Sequence, residues 1–147
     1  FFIYNTPCYA EGIGDKLMPI SLALRGLRLI MIKPNCGVST CEAYSGIIRH
    51  PEVEGQIKQA LQKGQSFADM RPLLVNDFEQ TVFPLHPEIA EIKQRLLDAG
   101  AVYAAMSGSG STVFGLFQHD PEGSADTQLR LLHKEFAAMV ILDDTLA

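Results

Sequence analysis

Two stretches of the chain carry hydrophobic patterns that each predict an element without further context. Leu27–Lys33 is a continuous apolar run, rich in β-forming residues and closed by Pro34, which predicts a buried strand. From Pro87 to Ala99 apolar positions recur at helical spacing, with Pro87 in the first turn and Gly100 directly after the end. The positions predicted to face the core are Ile89, Ile92 and Leu96.

A polar signal predicts a second helix, beginning at Ser39. Glu42 follows three residues later, which is the pattern of a capping box, where the hydroxyl and the carboxylate each bond a free amide. Ala43, Ile47 and Ile48 then continue at helical spacing and predict an apolar face.

The rest of the pattern predicts an α+β chain. Two apolar runs, Ala101–Met106 and Thr112–Phe117, flank a glycine-serine loop and predict a β-hairpin. The other predicted elements are an extended segment with a bend over Cys8–Ile20, a helix from Pro51 to Gly64, a partly helical stretch over Phe67–Phe83, a helix over Ala125–Phe136 and a strand over Ala138–Leu142. This order is the βαββαβ pattern of a ferredoxin-like domain with extra helices in the first crossover, a largely antiparallel sheet and helices on one face.

The predicted unit occupies residues 27–147 and leaves residues 1–26 outside it. We interpret residues 1–26 as a stub and junction with a preceding domain. The chain opens on Phe1-Phe2-Ile3 without an initiator methionine, a basic leader or a cleavage pattern, and this favours a cut within a domain.

Composition and charge exclude several classes of protein. Among 147 residues, 47% are hydrophobic and 20% charged, which excludes a disordered chain. A net charge of −5 argues against a nucleic-acid-binding surface. No apolar run approaches the ~20 residues that span a bilayer, which argues against a membrane protein. Three cysteines without paired spacing, Cys8, Cys36 and Cys41, fit reduced thiols in a cytosolic protein.

The glycine-serine loop Ser107–Ser111 is the strongest candidate site. Its two glycines permit unusual backbone angles, so that amide groups can converge on an anion, and its three hydroxyls add donors. An ordinary flexible hairpin turn explains the same composition equally well. The loop matches neither the Walker pattern nor G-x-G-x-x-G.

Weaker candidates lie elsewhere. The helix start at Ser39 offers free amides and the Thr40 hydroxyl, and Tyr44, one turn later, either stacks on a base or packs in the core. The carboxylates of Asn76–Glu79 fit a helix cap and a solvated face better than a metal site or a base. The four histidines are scattered, and their spacing predicts no metal cluster and no Ser-His-Asp arrangement.

Taken together, five runs occur in an order that resembles the C-terminal half of the GHMP superfamily of small-molecule kinases. These runs are Ala10–Asp15, Lys33-Pro34, Val38–Tyr44, Asn76–Glu79 and Met106–Phe114. The resemblance covers nearly the whole chain and is strongest to members that act on a diphosphocytidyl-methylerythritol substrate. It implies transfer of the γ-phosphoryl group of ATP, with Mg²⁺, to the 2-hydroxyl of that substrate. It also implies a place in non-mevalonate isoprenoid synthesis, in the bacterial cytoplasm or a plastid.

The resemblance also implies roles for individual residues. Thr40 and Tyr44 fall at the cytidine end of the substrate, and Gly12 lies near its side of the domain junction. Ser107–Ser111, which comprises Ser107, Gly108, Ser109, Gly110 and Ser111, approaches the phosphates. No catalytic residue and no metal ligand is assigned to this chain, because the family places its main ATP-binding loop, its catalytic lysine and its catalytic aspartate in the N-terminal domain.

Three expectations follow from the resemblance. The 147 residues alone should have no kinase activity, since ATP and Mg²⁺ are bound mainly by the N-terminal domain. The face that meets that domain should be apolar, which favours self-association when the domain is absent. The alternatives are another GHMP kinase, of homoserine or mevalonate type, and a non-catalytic ferredoxin-like binding module.

Overall fold

The structure of the chain is a computed structural model that describes residues 7–21, 24–48, 51–118, 126–137 and 139–146. Its strands are β1 (Cys8–Glu11), β2 (Lys16–Pro19), β3 (Arg28–Lys33), β4 (Tyr103–Met106), β5 (Val113–Phe117) and β6 (Val140–Thr145). Its helices are α1 (Thr40–Tyr44), α2 (Pro51–Gln62), α3 (Phe67–Met70), a 3-10 turn (Arg71–Leu73), α4 (Glu79–Leu85), α5 (Pro87–Asp98) and α6 (Asp126–Glu135).

These elements form two compact units. The hairpin-helix unit draws on residues 1–24 and 50–74, and the sheet unit draws on residues 25–49 and 75–147. The predicted boundary between a junction over residues 1–26 and a domain over residues 27–147 refers to domains of a longer protein, and it stays a prediction.

The sheet unit contains a four-stranded antiparallel sheet in the order β4-β5-β3-β6. Val113 of β5 pairs with Met106 of β4 on one side and with Ile32 of β3 on the other. On the far side of β3, Met31 pairs with Leu142 of β6. With helices between β3 and β4 and between β5 and β6, this order confirms the predicted α+β, ferredoxin-like fold.

Helix α5 packs one face against the core of the sheet unit. Its three predicted inward residues, Ile89, Ile92 and Leu96, are at most 1% exposed. Burial of each such side chain contributes about 1.5 to 3 kcal/mol. The helix lies close to β5, because a Cβ at Gly115 would be 3.1 Å from Leu96 Cδ2. The core also includes residues of the strands, of α6 and directly after α6, among them Ile30, Ile32, Val113, Leu129, Leu132 and Phe136.

The capping box predicted at Ser39 is wrong. Ser39 is the N-cap of α1, but its side chain makes no capping hydrogen bond. Glu42 does not return to the helix start, because its Oε2 lies 3.2 Å from His86 Nε2. The apolar face is also shorter than predicted, since α1 ends at Tyr44 and Ile48 is 63% exposed.

Other boundaries differ by a few residues. The last strand runs over Val140–Thr145, because pairing with β3 continues as far as Arg28 opposite Thr145. The predicted helix over Ala125–Phe136 appears as Asp126–Glu135, and Ala125 lies outside the described residues. Helix α2 ends where predicted, with Gly64 at a φ of 65°. None of the helices in the described part of the chain has both the length and the apolar character that crossing a bilayer requires.

In the hairpin-helix unit, the extended segment with a bend is an antiparallel hairpin. Cys8 pairs with Pro19 and Glu11 with Lys16, and the turn lies between them. Lys58 of α2 reaches the end of β1, with its Nζ 2.6 Å from a carboxylate oxygen of Glu11. This ion pair is exposed on both sides, so it adds little stability.

Candidate functional site

The glycine-serine loop Ser107–Ser111 connects β4 to β5 as a closed turn. The Ser107 amide donates to Thr112 O at 2.8 Å, and the Gly110 amide donates to Ser107 O at 3.0 Å. Gly108 and Gly110 have φ angles of 54° and 93°, which residues with a Cβ rarely adopt. Gly110 also has no room for a Cβ, which would lie 2.8 Å from Met106 Sδ. Both glycines are therefore required by the shape of the turn.

The loop and its surroundings carry several hydrogen-bond donors. Within the ranges that the structure describes, the amides of Gly108 and Ser109 have no protein acceptor. The Ser111 side chain is 3% exposed and its hydroxyl donates to Cys36 O at 2.7 Å. Lys33 Nζ lies 3.5 Å from the same hydroxyl, which brings a positive charge to the loop. Free amides beside an ammonium group are an arrangement that binds anions.

A run from a distant part of the chain holds the loop in place. The Asn76 side-chain amide donates to Met106 O at 2.7 Å and to Gly108 O at 2.9 Å. Glu79 accepts from the Met106 amide at 2.8 Å, and its other oxygen pairs with Lys93 Nζ at 2.5 Å. The interpretation of Asn76–Glu79 as a solvated face is therefore wrong, although Asn76 Oδ1 does cap the Phe78 amide at 3.0 Å.

Tyr44 and Thr40 are both exposed, at the two ends of α1. Tyr44 is 63% exposed, so it does not pack in the core. Its ring meets Phe78 edge to face, with the ring centroids 4.8 Å apart. The residues before α1 touch the loop, because Val38 Cγ2 lies 3.4 Å from the place a Cβ would take on Gly110. The start of α1 and the loop are thus neighbours in the sheet unit.

Gly12 belongs to the hairpin-helix unit. It occupies the turn between β1 and β2 with a φ of 69°, and a Cβ there would lie 2.7 Å from Asp15 Oδ1. The Gly14 amide closes the turn on Glu11 O at 3.1 Å. A tight turn explains Gly12 fully, and its predicted role in substrate binding stays a prediction.

Sequence reasoning named the runs Lys33-Pro34 and Asn76–Glu79 but did not predict that Lys33, Asn76 and Glu79 contact the glycine-serine hairpin. Lys33 had a usable signal, since the ferredoxin-like strand order places the end of β3 beside the start of β5, where the loop ends. Asn76 and Glu79 had none, because their partners lie 27 to 32 residues away and the contact depends on how α4 docks.

The donors around the loop fit phosphate oxygens but do not fit Mg²⁺. Magnesium requires oxygen ligands, usually one or two carboxylates. Among the described residues, the carboxylate bonded at this hairpin is that of Glu79, and both its oxygens already bond Met106 and Lys93. The loop therefore suits the phosphate part of a ligand, and the metal would need ligands from elsewhere.

Comparison with known proteins gives a family match over more than half the chain. The family model described as "GHMP kinases C terminal" matches residues 57–137. A curated 4-diphosphocytidyl-2-C-methyl-D-erythritol kinase from Bacteroides thetaiotaomicron is 50% identical over 125 residues, covering 84% of this chain and 43% of that protein. The kinase of the same name from Nitratidesulfovibrio vulgaris is 37% identical over 130 residues, covering 85% and 45%. The chain thus spans less than half the length of these relatives.

Solved structures agree on the fold. A crystal structure of 4-(cytidine 5'-diphospho)-2C-methyl-D-erythritol kinase matches with a TM-score of 0.67 at 26% identity, covering 99% of this chain and 52% of that one. A homoserine kinase from Cytophaga hutchinsonii also gives a TM-score of 0.67, but at 19% identity, over 95% and 48% of the two chains. At that identity the likeness concerns the fold alone.

Proposed function

Because the chain belongs to the GHMP kinase family, which the match of its C-terminal family model shows, we propose that it is the C-terminal half of a small-molecule kinase. Its substrate is 4-diphosphocytidyl-2-C-methyl-D-erythritol, and the group phosphorylated is the 2-hydroxyl. Support for this substrate comes from curated relatives of that name at 37% to 50% identity. The longer protein would act in non-mevalonate isoprenoid synthesis, in the bacterial cytoplasm.

One observation carries the assignment of the site. Asn76 bonds the loop through Gly108 O, and Phe78, two residues later, supports the Tyr44 ring. A single short run therefore fixes both the donor-rich loop and an exposed aromatic ring. A nucleoside diphosphate needs these two features together, one for its phosphates and one for its base.

The proposed roles follow from these contacts. The free amides of Gly108 and Ser109 bond phosphate oxygens, and Lys33 contributes a positive charge. Tyr44 stacks on the cytosine ring, where base stacking on an aromatic side chain contributes about 1 to 3 kcal/mol. Thr40, exposed at the start of α1, bonds the cytidine end, and Gly12 lines the substrate side of the domain junction.

In the reaction, the substrate 2-hydroxyl oxygen would bond the γ-phosphorus of ATP, the bond from that phosphorus to the β-γ bridging oxygen would break to release ADP, and the hydroxyl proton would pass to the catalytic aspartate that the resemblance places in the other half of the kinase. Mg²⁺ supplies charge neutralisation on the transferred group. ATP and Mg²⁺ are held mainly by the other half of the kinase, while this chain binds and orients the diphosphocytidyl part. We therefore expect no phosphoryl transfer from the 147 residues alone, tested against a reaction without enzyme.

A binding titration tests this function directly. The chain should bind the diphosphocytidyl substrate and not homoserine or mevalonate. Tyr44→Ala should weaken binding by roughly 5- to 100-fold, because the stacking contact is lost. Tyr44→Phe keeps the ring and should bind like the original chain. Preference for homoserine or mevalonate would assign the chain to those GHMP kinases, and binding of none would favour a non-catalytic module.

Self-association is a separate expectation of the same proposal. An apolar face that meets the other half of the kinase would be exposed in the 147-residue chain. Sedimentation at several concentrations should then show dimers or larger species, and a monomer at every concentration would contradict the expectation.

A further inference from the structure

Three side chains with metal-binding atoms converge at the start of α5. They are Cys36, which follows β3, His86, which precedes α5, and Glu88 in its first turn. One atom from each, the thiol sulfur, a ring nitrogen and a carboxylate oxygen, lie within 4.8 Å of one another. Residue 36 is about 50 positions from the other two, so their spacing in the sequence gives no sign of this cluster.

The orientation of the His86 ring matches that of a metal ligand. Its Nε2 lies 3.2 Å from Glu42 Oε2, and because a carboxylate only accepts, Nε2 must carry the proton. In the neutral ring, Nδ1 then keeps its lone pair, 3.6 Å from Glu88 Oε1. Histidines that bind metals usually donate their other N–H to a carboxylate in this way. This contact also gives Glu42 a function that the failed capping box does not.

The ligand types of Cys36, His86 and Glu88 determine which metal ion the cluster favours. A thiolate, an imidazole and a carboxylate together favour Zn²⁺ over the hard cations Mg²⁺ and Ca²⁺. Ligand atoms on a tetrahedral zinc lie roughly 3.3 to 3.8 Å apart, so the widest pair has to close by about 1 Å. Glu88 can supply this movement, since its side chain is 48% exposed.

The thiol and the carboxyl of the cluster influence each other's pKa. Burial and a hydrogen bond to Glu88 raise the pKa of the Cys36 thiol. The backbone amide of Glu88, followed by the thiol, lowers the pKa of its carboxyl.

We propose that Cys36 Sγ, His86 Nδ1 and a Glu88 oxygen bind one Zn²⁺ ion, with water in the fourth position and Glu42 as a positioning residue. As the zinc–sulfur bond forms, the thiol proton passes to solvent. The same residue, Cys36, accepts the Ser111 hydroxyl at its carbonyl oxygen. The ion would therefore anchor one wall of the loop, and the site does not depend on the proposed kinase reaction.

The test is a titration of the tag-free, reduced chain with Zn²⁺ by calorimetry, and with Co²⁺ by absorbance. We expect one ion per chain and, with Co²⁺, a thiolate charge-transfer band. Cys36→Ser should remove the band and weaken Zn²⁺ binding at least ten-fold. Cys41→Ser is the matched control, because Cys41 is exposed and lies outside the cluster. It should bind both ions like the original chain.

Glu42→Ala separates a metal site from a chance cluster. Loss of the carboxylate that orients His86 should weaken zinc binding by roughly 10- to 100-fold while leaving the Co²⁺ thiolate band in place. Thermal unfolding of the metal-free variants shows whether each one folds. Binding that is substoichiometric, or unchanged in folded Cys36→Ser, or lost in Cys41→Ser, would overturn the proposal.

Discussion

Within the described ranges, two hairpins have turns built on glycines with positive φ, and they differ in what surrounds them. The turn at Gly12 and Gly14 is closed by its own residues, through the Gly14 amide to Glu11 O and the Ile13 amide to Asp15 Oδ1. Ile13 at its tip is 97% exposed. The turn Ser107–Ser111 is instead bonded by side chains from outside the hairpin, those of Asn76 and Lys33.

The difference shows that glycine content alone does not make an anion site. Both turns have the backbone freedom that such a site needs. Among the described residues, the bonds that close the first turn come from its own residues, whereas the second turn is also bonded by the Asn76 side chain from outside the hairpin. Preorganised donors bind an anion without the entropic cost of ordering a flexible turn.

The largest difference in stability between the two turns is expected when a methyl group is added to one glycine in each. Gly110→Ala should lower the free energy of unfolding by about 2 to 4 kcal/mol, because φ is 93° and the new Cβ would lie 2.8 Å from Met106 Sδ. Gly14→Ala, with φ at 88° and open space around it, should cost about 1 kcal/mol. Urea denaturation of both variants gives the two values. Equal losses would show that the surroundings of Gly110 do not matter.

The next largest loss of stability is expected when the Asn76 side chain, which bonds the loop, is removed. Asn76→Ala loses the bonds to Met106 O, Gly108 O and the Phe78 amide, and should lower the free energy of unfolding by about 1.5 to 3 kcal/mol. It should also speed hydrogen exchange at the Ser107 and Gly110 amides.

The control for this variant is Asn35→Ala, at an exposed position after β3. It should change the stability by less than about 0.5 kcal/mol. If Asn76→Ala behaves like Asn35→Ala and the exchange rates of the loop do not change, Asn76 does not support the loop.

The smallest effect is expected at the first hairpin. Lys58→Met removes the ion pair with Glu11, whose side chains are 40% and 42% exposed, and should shift the urea midpoint less than either change above. The hydrogen bond to Glu11 raises the pKa of Lys58 above its ordinary 10.5. The contribution is therefore complete below pH 10.5 and is lost as pH rises through the higher folded value. An effect as large as that of Asn76→Ala would mean that this hairpin is also held from outside.

Much of the fold was predictable because its signals are local. The run Leu27–Lys33 and the helix over Pro87–Ala99 combine strong periodicity with clear end signals, and both appear within a residue or two. The capping box failed because a distant histidine, His86, competes for the Glu42 carboxylate. A local pattern cannot reveal a competitor that only tertiary structure brings near.

In the candidate site, too, the local features could be predicted from the sequence and the tertiary contacts could not. The composition of Ser107–Ser111 identified a turn with donors, and left its use open. What shapes the turn comes from Asn76, about 30 residues away, and from Cys36, which is 75 residues away from Ser111. Residues at such separations are found only after the strand order and the docking of α4 are known.

The bond between Asn76 and the loop has a consequence for how the chain folds. We expect a hairpin over residues 103–117 to close early, since its contacts are local, and its turn to take its final shape only when the segment at residue 76 docks against it. A ligand that requires the finished turn will then bind the native state and not its precursors. Its stabilising effect will grow with concentration as RT ln(1 + [L]/Kd), so the melting temperature of the chain will keep rising even after the site is saturated.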